Sequence, residues 1–295
     1  MMNPLSSKIL DLLKLIRLTS WLKNIFVFVP IVFSKHLFEW SYISIVISGF
    51  LAFSFASSFV YVLNDIKDAE RDKLHSLKKD RPIPSGKVNR KEALLLLAFL
   101  FILVVIFSFI IMNQFVFLIW AYIGINIAYT FYLKQVVIVD IFCIAAGFIL
   151  RVIGGAVVVS IYISSWLILT TIFLSLFLAV MKRRVEIATS ENAVEQRLVL
   201  KDYSLSFIDQ ISAIAAGGVI ICYALYTVAQ RTVAAFGSEN LVFTTLFVVF
   251  GIFRYMFLVH KGNKGENVAE VILSDLPMIV NSLLFIASAF YVIYF

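Results

Sequence analysis

Apolar residues along the 295-residue chain gather into nine runs, near positions 18–38, 41–63, 92–112, 115–133, 138–160, 164–181, 208–229, 241–260 and 277–295. Each is close to the ~20 residues an α-helix needs to cross the hydrocarbon core of a bilayer. In lipid, only helices and closed barrels satisfy their own backbone polar groups, and barrel strands are about half as long. The pattern therefore predicts nine transmembrane helices. Ahead of the first run, Ile9, Leu12, Leu13, Ile16 and Leu18 recur near helical spacing, with Lys8, Asp11, Lys14 and Arg17 between them. That alternation predicts an amphipathic helix over 1–17 lying in the membrane interface. Lys23, Asn24, Lys35 and His36 interrupt the first run, and Pro277 opens the last helix where a missing N–H costs nothing.

Composition sharpens this picture. Apolar side chains make up 62% of the chain and charged ones 15%, against about 45–50% and 25% in ordinary soluble domains. A soluble globular domain is excluded. Cys143 and Cys222 both fall inside apolar runs, which argues against a disulfide framework or a zinc site. The N-terminus lacks the short apolar core ending in small residues that marks a cleavable signal. No linker or low-complexity tract interrupts the chain, so it reads as a single integral membrane domain over 1–295, with 64–91 and 182–207 as its main cytosolic loops.

The net charge of +7 is an orientation signal rather than a sign of nucleic-acid binding. Of the 25 lysines and arginines, 22 fall on one side of a nine-span arrangement, in the N-terminal segment, 64–91, 134–137, 182–207 and 254–275. Lys35 and Arg231 lie on the other side, and Arg151 lies inside the fifth span. Basic loops stay cytosolic. The expected arrangement is a multi-pass protein of the cell (inner) membrane with its N-terminus in the cytosol and its C-terminus outside.

The polar content that could do chemistry lies on that cytosolic side. Asn64-Asp65-Ile66-Lys67-Asp68-Ala69-Glu70-Arg71-Asp72 continues directly from the second apolar run. On a helix, Asp65, Asp68 and Asp72 stand at about 0°, 300° and 340°, sharing one face. Three like charges on one face repel, so a cation should sit against them, and a hard divalent ion such as Mg2+ is the obvious candidate. Lys67, Arg71 and Lys73 nearby also allow a plain solvated helix end. Downstream, Lys78-Lys79-Asp80-Arg81-Pro82-Ile83-Pro84-Ser85-Gly86-Lys87 is a shaped loop in which Arg81 offers a forked donor to phosphate.

A second polar cluster surrounds the turn between the fourth and fifth spans: Tyr129, Tyr132, Lys134 and Asp140. Arg151 lies 11 residues beyond Asp140, within about 20° of the same face and about 16 Å deeper. A buried arginine in a span faces a cavity, a partner helix or a substrate anion. Lys182, Arg183, Arg184 and Glu186 end the sixth span, and Arg254, Tyr255, Glu266, Glu270 and Asp275 belong to the last cytosolic region. Gly154-Gly155 and Gly217-Gly218 suggest close helix packing. Nucleophile elbows, zinc-ligand spacings and dinucleotide fingerprints are absent from the sequence.

The aspartate run followed by Arg81-Pro82-Ile83-Pro84-Ser85-Gly86 resembles the first signature of the UbiA prenyltransferase superfamily, NDxxDxxxD then RPxxxG. Further features resemble one branch, the decaprenyl-phosphate phosphoribosyltransferase-like proteins. They are Trp21-Leu22-Lys23-Asn24, Tyr129-xxx-Leu133-Lys134 before Asp140, and Gly147-Phe148-xx-Arg151 before Gly154-Gly155-Ala156. Later come Lys182-Arg183-Arg184-Val185-Glu186, the Arg254-Tyr255 pair, and Asp275 and Met278 around Pro277. The resemblance implies helices around a cytosol-facing cavity. Aromatic prenyltransferases of the superfamily carry a second motif with two or more carboxylates; here the matching region has Asp140 alone, preceded by Lys134.

What the resemblance implies is a Mg2+-dependent transfer of 5-phosphoribose from phosphoribosyl diphosphate to a polyprenyl phosphate, a membrane lipid, with release of diphosphate. In that reading Asp65, Asp68 and Asp72 hold the metal, and Asn64 and Arg81 assist on the diphosphate. Lys134, with Lys23 and Asn24 or Arg151, positions the lipid phosphate beside Tyr129. Lys182, Arg183 and Glu186 contact the phosphoribosyl group, and Asp140 orients a basic residue or a ribose hydroxyl. The nearest alternative moves an isoprenoid from its diphosphate to an aromatic or other polar acceptor. A lipid-phosphate transporter predicts polar groups spread across the membrane, and a structural scaffold leaves the three aspartates unexplained. Nothing in the pattern sets an oligomeric state.

Overall fold

The computed structural model describes residues 4–73, 78–111, 114–189, 198–262 and 268–295, and among them every regular element is helical. The α-helices are α1 Pro4–Ile16, α2 Val29–Phe33, α3 Trp40–Lys73, α4 Arg90–Ile111, α5 Phe115–Phe131, α6 Val139–Val158, α7 Ser165–Thr189, α8 Leu205–Val228, α9 Gln230–Phe236, α10 Thr245–Gly262, α11 Val268–Leu273 and α12 Leu276–Tyr294. Short 3-10 segments stand at Leu133–Gln135, Leu198–Asp202 and Asn240–Thr244, and a longer one covers Leu18–Phe28.

Eight helical stretches among the described residues are long and apolar enough to cross a membrane, and a shorter apolar helix, Phe115–Phe131, occupies the fourth of the nine expected runs. This is an all-helical multi-pass membrane protein. Side chains such as Leu95, Phe109, Phe117 and Leu246 are left exposed, as helices bathed in acyl chains require. The first stretch, Lys8–Phe33, takes in half of the segment expected to lie in the interface. The chain nevertheless turns at the expected place: Arg17 adopts a left-handed conformation, φ 56°. Helix α3 runs through Lys73 and α7 through Thr189, so 64–73 and 182–189 are helical rather than loop. Residues 74–77, with His75, 190–197, and Glu266 lie outside the described residues.

The described helices form two compact units. The first comprises residues up to Val32, His36–Phe131 and Leu150–Ile161. Its core joins Val27 and Ile31 to Ala52, Phe53 and Ala56 of α3, Phe115, Ile119 and Tyr122 of α5, and Val158 of α6. Helix α4 begins with a reciprocal cap: the Glu92 amide donates to the Asn89 side chain and the Asn89 amide to the Glu92 carboxylate. The second unit comprises Phe33–Lys35, Tyr132–Ile149 and Tyr162–Phe295. There, Phe177, Met181 and Val185 of α7 pack with Ala215, Ala216 and Val219 of α8 and Ile252, Tyr255 and Val259 of α10. Asp275 caps α12 through the Met278 amide, with Pro277 in the first turn as expected. The paired hydrogen bonds from Arg254 hold the Asp275 carboxyl below the usual carboxylate range.

Three of the four glycines singled out in the sequence sit at close approaches. A Cβ at Gly155 would land on the Val27 carbonyl, one at Gly154 on the Phe53 ring, and one at Gly218 on the Phe173 ring. A Cβ at Gly217 would meet no neighbour within 4 Å, so no close approach requires this glycine. The pair Gly155→Ala and Gly217→Ala should therefore diverge in a detergent melting experiment. The first should destabilise by about 1–3 kcal/mol, because backbone has to move. The second should be neutral or stabilising by up to ~1 kcal/mol, the helix-propensity gain. Equal melting temperatures would contradict the close approach at Gly155.

Candidate active site: two polar clusters in an apolar protein

In the first unit, the last turns of α3 carry the aspartate face. Asp65 and Asp72 are both buried and Asp68 is half-buried. The cations that the co-facial carboxylates require are, in this structure, two arginines. Arg17 Nη2 contacts Asp65 Oδ1 at 2.5 Å, and Arg81 Nη1 contacts Asp65 Oδ1 at 3.2 Å and Asp72 Oδ2 at 2.7 Å. The left-handed turn at Arg17 delivers its guanidinium to Asp65 and lays it 4.9 Å from the centre of the Tyr61 ring. The Arg81-Pro82 loop delivers the other. Among the described residues, no three acidic, histidine or cysteine side chains converge as a self-sufficient metal cage. Two carboxylates that reach the same nitrogen nevertheless fit Mg2+, which takes one or two carboxylates and completes its shell with water and substrate phosphate.

A polar stripe extends from this end of α3 into the apolar core. Asn24 donates to the hydroxyls of Ser54 (3.0 Å) and Ser57 (3.3 Å), and its carbonyl accepts from Arg151 Nε at 2.6 Å. Arg151 Nη2 also donates to the Tyr122 hydroxyl at 3.0 Å. Trp21 Nε1 donates to Ser58, whose hydroxyl donates in turn to the Ile16 carbonyl. Long 3-10 runs are uncommon because their hydrogen-bond geometry is poor; these side-chain bonds hold the Leu18–Phe28 segment to α3. Asp140 is not the partner of Arg151, in line with the separation expected from the sequence. Lys67 reaches the Thr130 carbonyl at 2.8 Å and lies over the Phe131 ring, joining α3 to the C-terminal turn of α5.

The second unit holds a network of different character. Asp140, in the first turn of α6, is fully buried, as is Arg183 of α7. Arg183 Nε donates to Asp140 Oδ2 and its Nη1 to Glu186 Oε2, both at 2.6 Å. The Tyr203 hydroxyl donates to Asp140 Oδ1 at 2.7 Å and accepts from the Ile138 amide at 2.6 Å. Burial, reinforced by the bond to Asp140, pushes the Tyr203 phenol above its usual range, so it stays a neutral donor. Tyr203 directly precedes Ser204, which caps α8 through the Phe207 amide, and its ring packs with Ile208. This is a hydrophobic staple at the helix start.

The structure thus brings Asp65, Asp72 and Arg81 together in one unit, and Asp140, Arg183 and Glu186 in the other. Lys23 is exposed, while Asn64, Tyr129, Lys134 and Lys182 are half-buried. The sequence reading missed Arg17, Tyr61, Tyr122, Tyr203 and the three serines of α3. A signal existed only for the serines and Tyr61: Ser54, Ser57, Ser58 and Tyr61 recur with Asp65 at helical spacing.

An all-helical multi-pass protein with carboxylates and guanidinium groups at the end of one span, and a buried Asp–Arg–Glu network in a second unit, has the features of a membrane enzyme acting on anionic substrates. The chain belongs to the UbiA prenyltransferase family, whose pattern matches residues 25–286. It is 28% identical to a decaprenyl-phosphate phosphoribosyltransferase of Mycolicibacterium smegmatis over 99% of this chain and 95% of that protein. It is 31% identical to the protein of the same name from Corynebacterium glutamicum over 90% of this chain and 81% of that one. In fold it is similar to a UbiA homologue from Archaeoglobus fulgidus, solved bound to GPP and Mg2+, with a TM-score of 0.71 and 18% identity over 97% of this chain and 100% of that one.

Proposed function

We propose that this protein is a polyprenyl-phosphate phosphoribosyltransferase: it transfers 5-phosphoribose from phosphoribosyl diphosphate to a polyprenyl phosphate and releases diphosphate. The observation that carries this reading is the nature of the two clusters, in a chain similar to relatives of that name over nearly its full length. One cluster is rich in carboxylates and suited to a metal–diphosphate. In the other, Asp140 and Glu186 are both paired with the enclosed Arg183, with Lys182 and Arg184 beside it in sequence.

Asp65, Asp68 and Asp72 would hold Mg2+, which when bound offsets the charge growing on the departing diphosphate. Arg81, which meets Asp65 and Asp72 through one nitrogen, would donate to the diphosphate, assisted by Asn64. The lipid phosphate is already anionic near neutral pH. One of its oxygens forms the new bond to the anomeric carbon as the bond from that carbon to diphosphate breaks, and no proton has to move. In the first unit, Lys23 and the Asn24–Arg151 pair would position the lipid phosphate, with Tyr129 a further candidate; in the second unit, Lys134 is a candidate phosphate ligand by its charge. Lys182 meets the 5-phosphate, while Arg183, enclosed by two carboxylates, holds Glu186 instead of touching substrate. The distribution of basic residues supports a cytosolic N-terminus and active site at the inner membrane, with the C-terminus outside.

Membranes containing the protein, incubated with ribose-labelled phosphoribosyl diphosphate and a polyprenyl phosphate, should pass label into the lipid fraction. The transfer should stop with EDTA and return with Mg2+. Absence of label in the lipid would overturn the reading. Transfer instead from a labelled isoprenyl diphosphate to an aromatic acceptor would establish the alternative, in which the isoprenoid is the group that moves.

A further inference from the structure

Tyr61 sits on the polar face of α3 between the two assemblies of the first unit. It stands four residues before Asp65 and three after Ser58, so one helical face carries all three. The aspartates lie on one side of it, and the stripe from Ser58 towards Arg151 lies on the other. Its two ends have different surroundings. The Arg17 guanidinium lies 4.9 Å from the centre of its ring and pairs with Asp65. Its hydroxyl end hydrogen-bonds with the Ser20 side chain and interacts with the charges of Lys23, Arg151 and Arg17. Arg17 is answered by Asp65, and Arg151 is held by Asn24 and Tyr122. Lys23 has no carboxylate partner among the described residues. A neutral phenol does not offset these charges; a phosphate does. The Leu18–Phe28 segment, for its part, is already tied to α3 by Trp21 and Asn24 through Ser54, Ser57 and Ser58.

We propose that Tyr61 is a further substrate-binding residue: its hydroxyl donates a hydrogen bond to the phosphate of the polyprenyl phosphate, beside Lys23. This rests on the function proposed above, and it needs only residues of the first unit. A phenol has one donor and two acceptor sites, so it can keep Ser20 as a partner while donating to phosphate. Arg151 adds its charge from where Asn24 and Tyr122 hold it. Four residues of helix separate Tyr61 from Asp65 by about 6 Å along the axis, which sets the lipid phosphate next to a diphosphate held at the aspartates. The bond falls on a phosphate oxygen other than the one that attacks, so the attacking oxygen keeps its lone pairs for the anomeric carbon.

The test compares wild type, Tyr61→Phe and Ser20→Ala in the labelled transfer assay, with each substrate varied in turn. Tyr61→Phe keeps the ring against Arg17 and removes only the hydroxyl, so its melting temperature should stay close to that of wild type. It should raise the KM for polyprenyl phosphate by about tenfold, equivalent to about 1.4 kcal/mol, and leave the KM for phosphoribosyl diphosphate unchanged. Ser20→Ala should change either KM by no more than about twofold. A hydroxyl that only ties α3 to the Leu18–Phe28 segment predicts equal effects of the two changes. That result, a rise in both KM values together, or no rise in Tyr61→Phe overturns the proposal. If the wild type transfers no label, the function proposed above has failed and binding decides. Farnesyl phosphate and farnesol are then compared by thermal shift on the same three proteins. The proposal stands if farnesyl phosphate stabilises wild type more than farnesol does, and this excess is lost in Tyr61→Phe but kept in Ser20→Ala. Any other pattern overturns it.

Discussion

Asp65→Asn should reduce label transfer to the lipid by about 10²–10³-fold, the scale seen when one electrostatic contact to a developing charge is removed. Asparagine keeps the shape of the side chain and an oxygen that accepts from Arg17 and Arg81. What it removes is the negative charge at the point where both arginines converge. Those arginines are each about 30% exposed and keep part of their hydration, so the melting temperature should fall much less than it would for an enclosed pair. Activity and stability should therefore separate. The measurement is initial transfer rate at saturating Mg2+ alongside a detergent melt. More than a tenth of wild-type activity in a folded Asp65→Asn protein would remove this carboxylate from the active site. Asp72→Asn should behave alike, because Asp72 meets the same Arg81 nitrogen.

The second large effect concerns stability and lies in the other unit. Asp140→Ala leaves Arg183, at 0% exposure, without its fully buried counter-charge. Breaking such a pair costs about 3–5 kcal/mol. For a domain larger than about 150 residues this corresponds to a fall in melting temperature on the order of 10 °C. Adding Arg183→Met should recover part of the loss, since the enclosed guanidinium goes with its partner and only the partly exposed Glu186 loses its ion pair with Arg183, yet transfer should stay impaired because Glu186 loses its support. A single Asp140→Ala protein melting within 2 °C of wild type, on the order of 1 kcal/mol, would show that the pair does not carry the local structure. Failure of the second change to restore stability would place the cost in the Tyr203 hydroxyl instead.

The residues differ sharply in how readable they were. The face shared by Asp65 and Asp72 follows from helical geometry and needs no neighbour to define it. The requirement for cations against that face also follows, from like-charge repulsion alone. Their full identity does not: besides the expected Mg2+, the structure sets two arginines against the carboxylates. One of them, Arg17, lies 48 positions away behind a left-handed turn, in a segment whose amphipathic pattern pointed only to the interface. Arg151 was recognisable as costly inside a span, but its acceptor Asn24 is 127 positions distant. Tyr203 gave no signal at all. A tyrosine near a membrane edge is ordinary, and only the approach of α6 and α7 to the start of α8 makes its hydroxyl the centre of a network.

By itself, then, the sequence determined where helices form and that they lie in a membrane. In lipid each backbone group has to be satisfied within its own segment, so run length and apolarity decide the matter locally. It also determined which carboxylates share a face, because 3.6 residues per turn is a local property. Only the tertiary structure decided which charge answers which. Buried ions find partners across helices, and their pairing depends on where glycines such as Gly155 let backbones approach and on left-handed turns such as those at Arg17 and Ile138, which local preference disfavours. Side-chain partners 48, 63 and 127 positions apart leave no trace in a hydrophobic pattern, because that pattern records contact with lipid and says nothing of contact with one another.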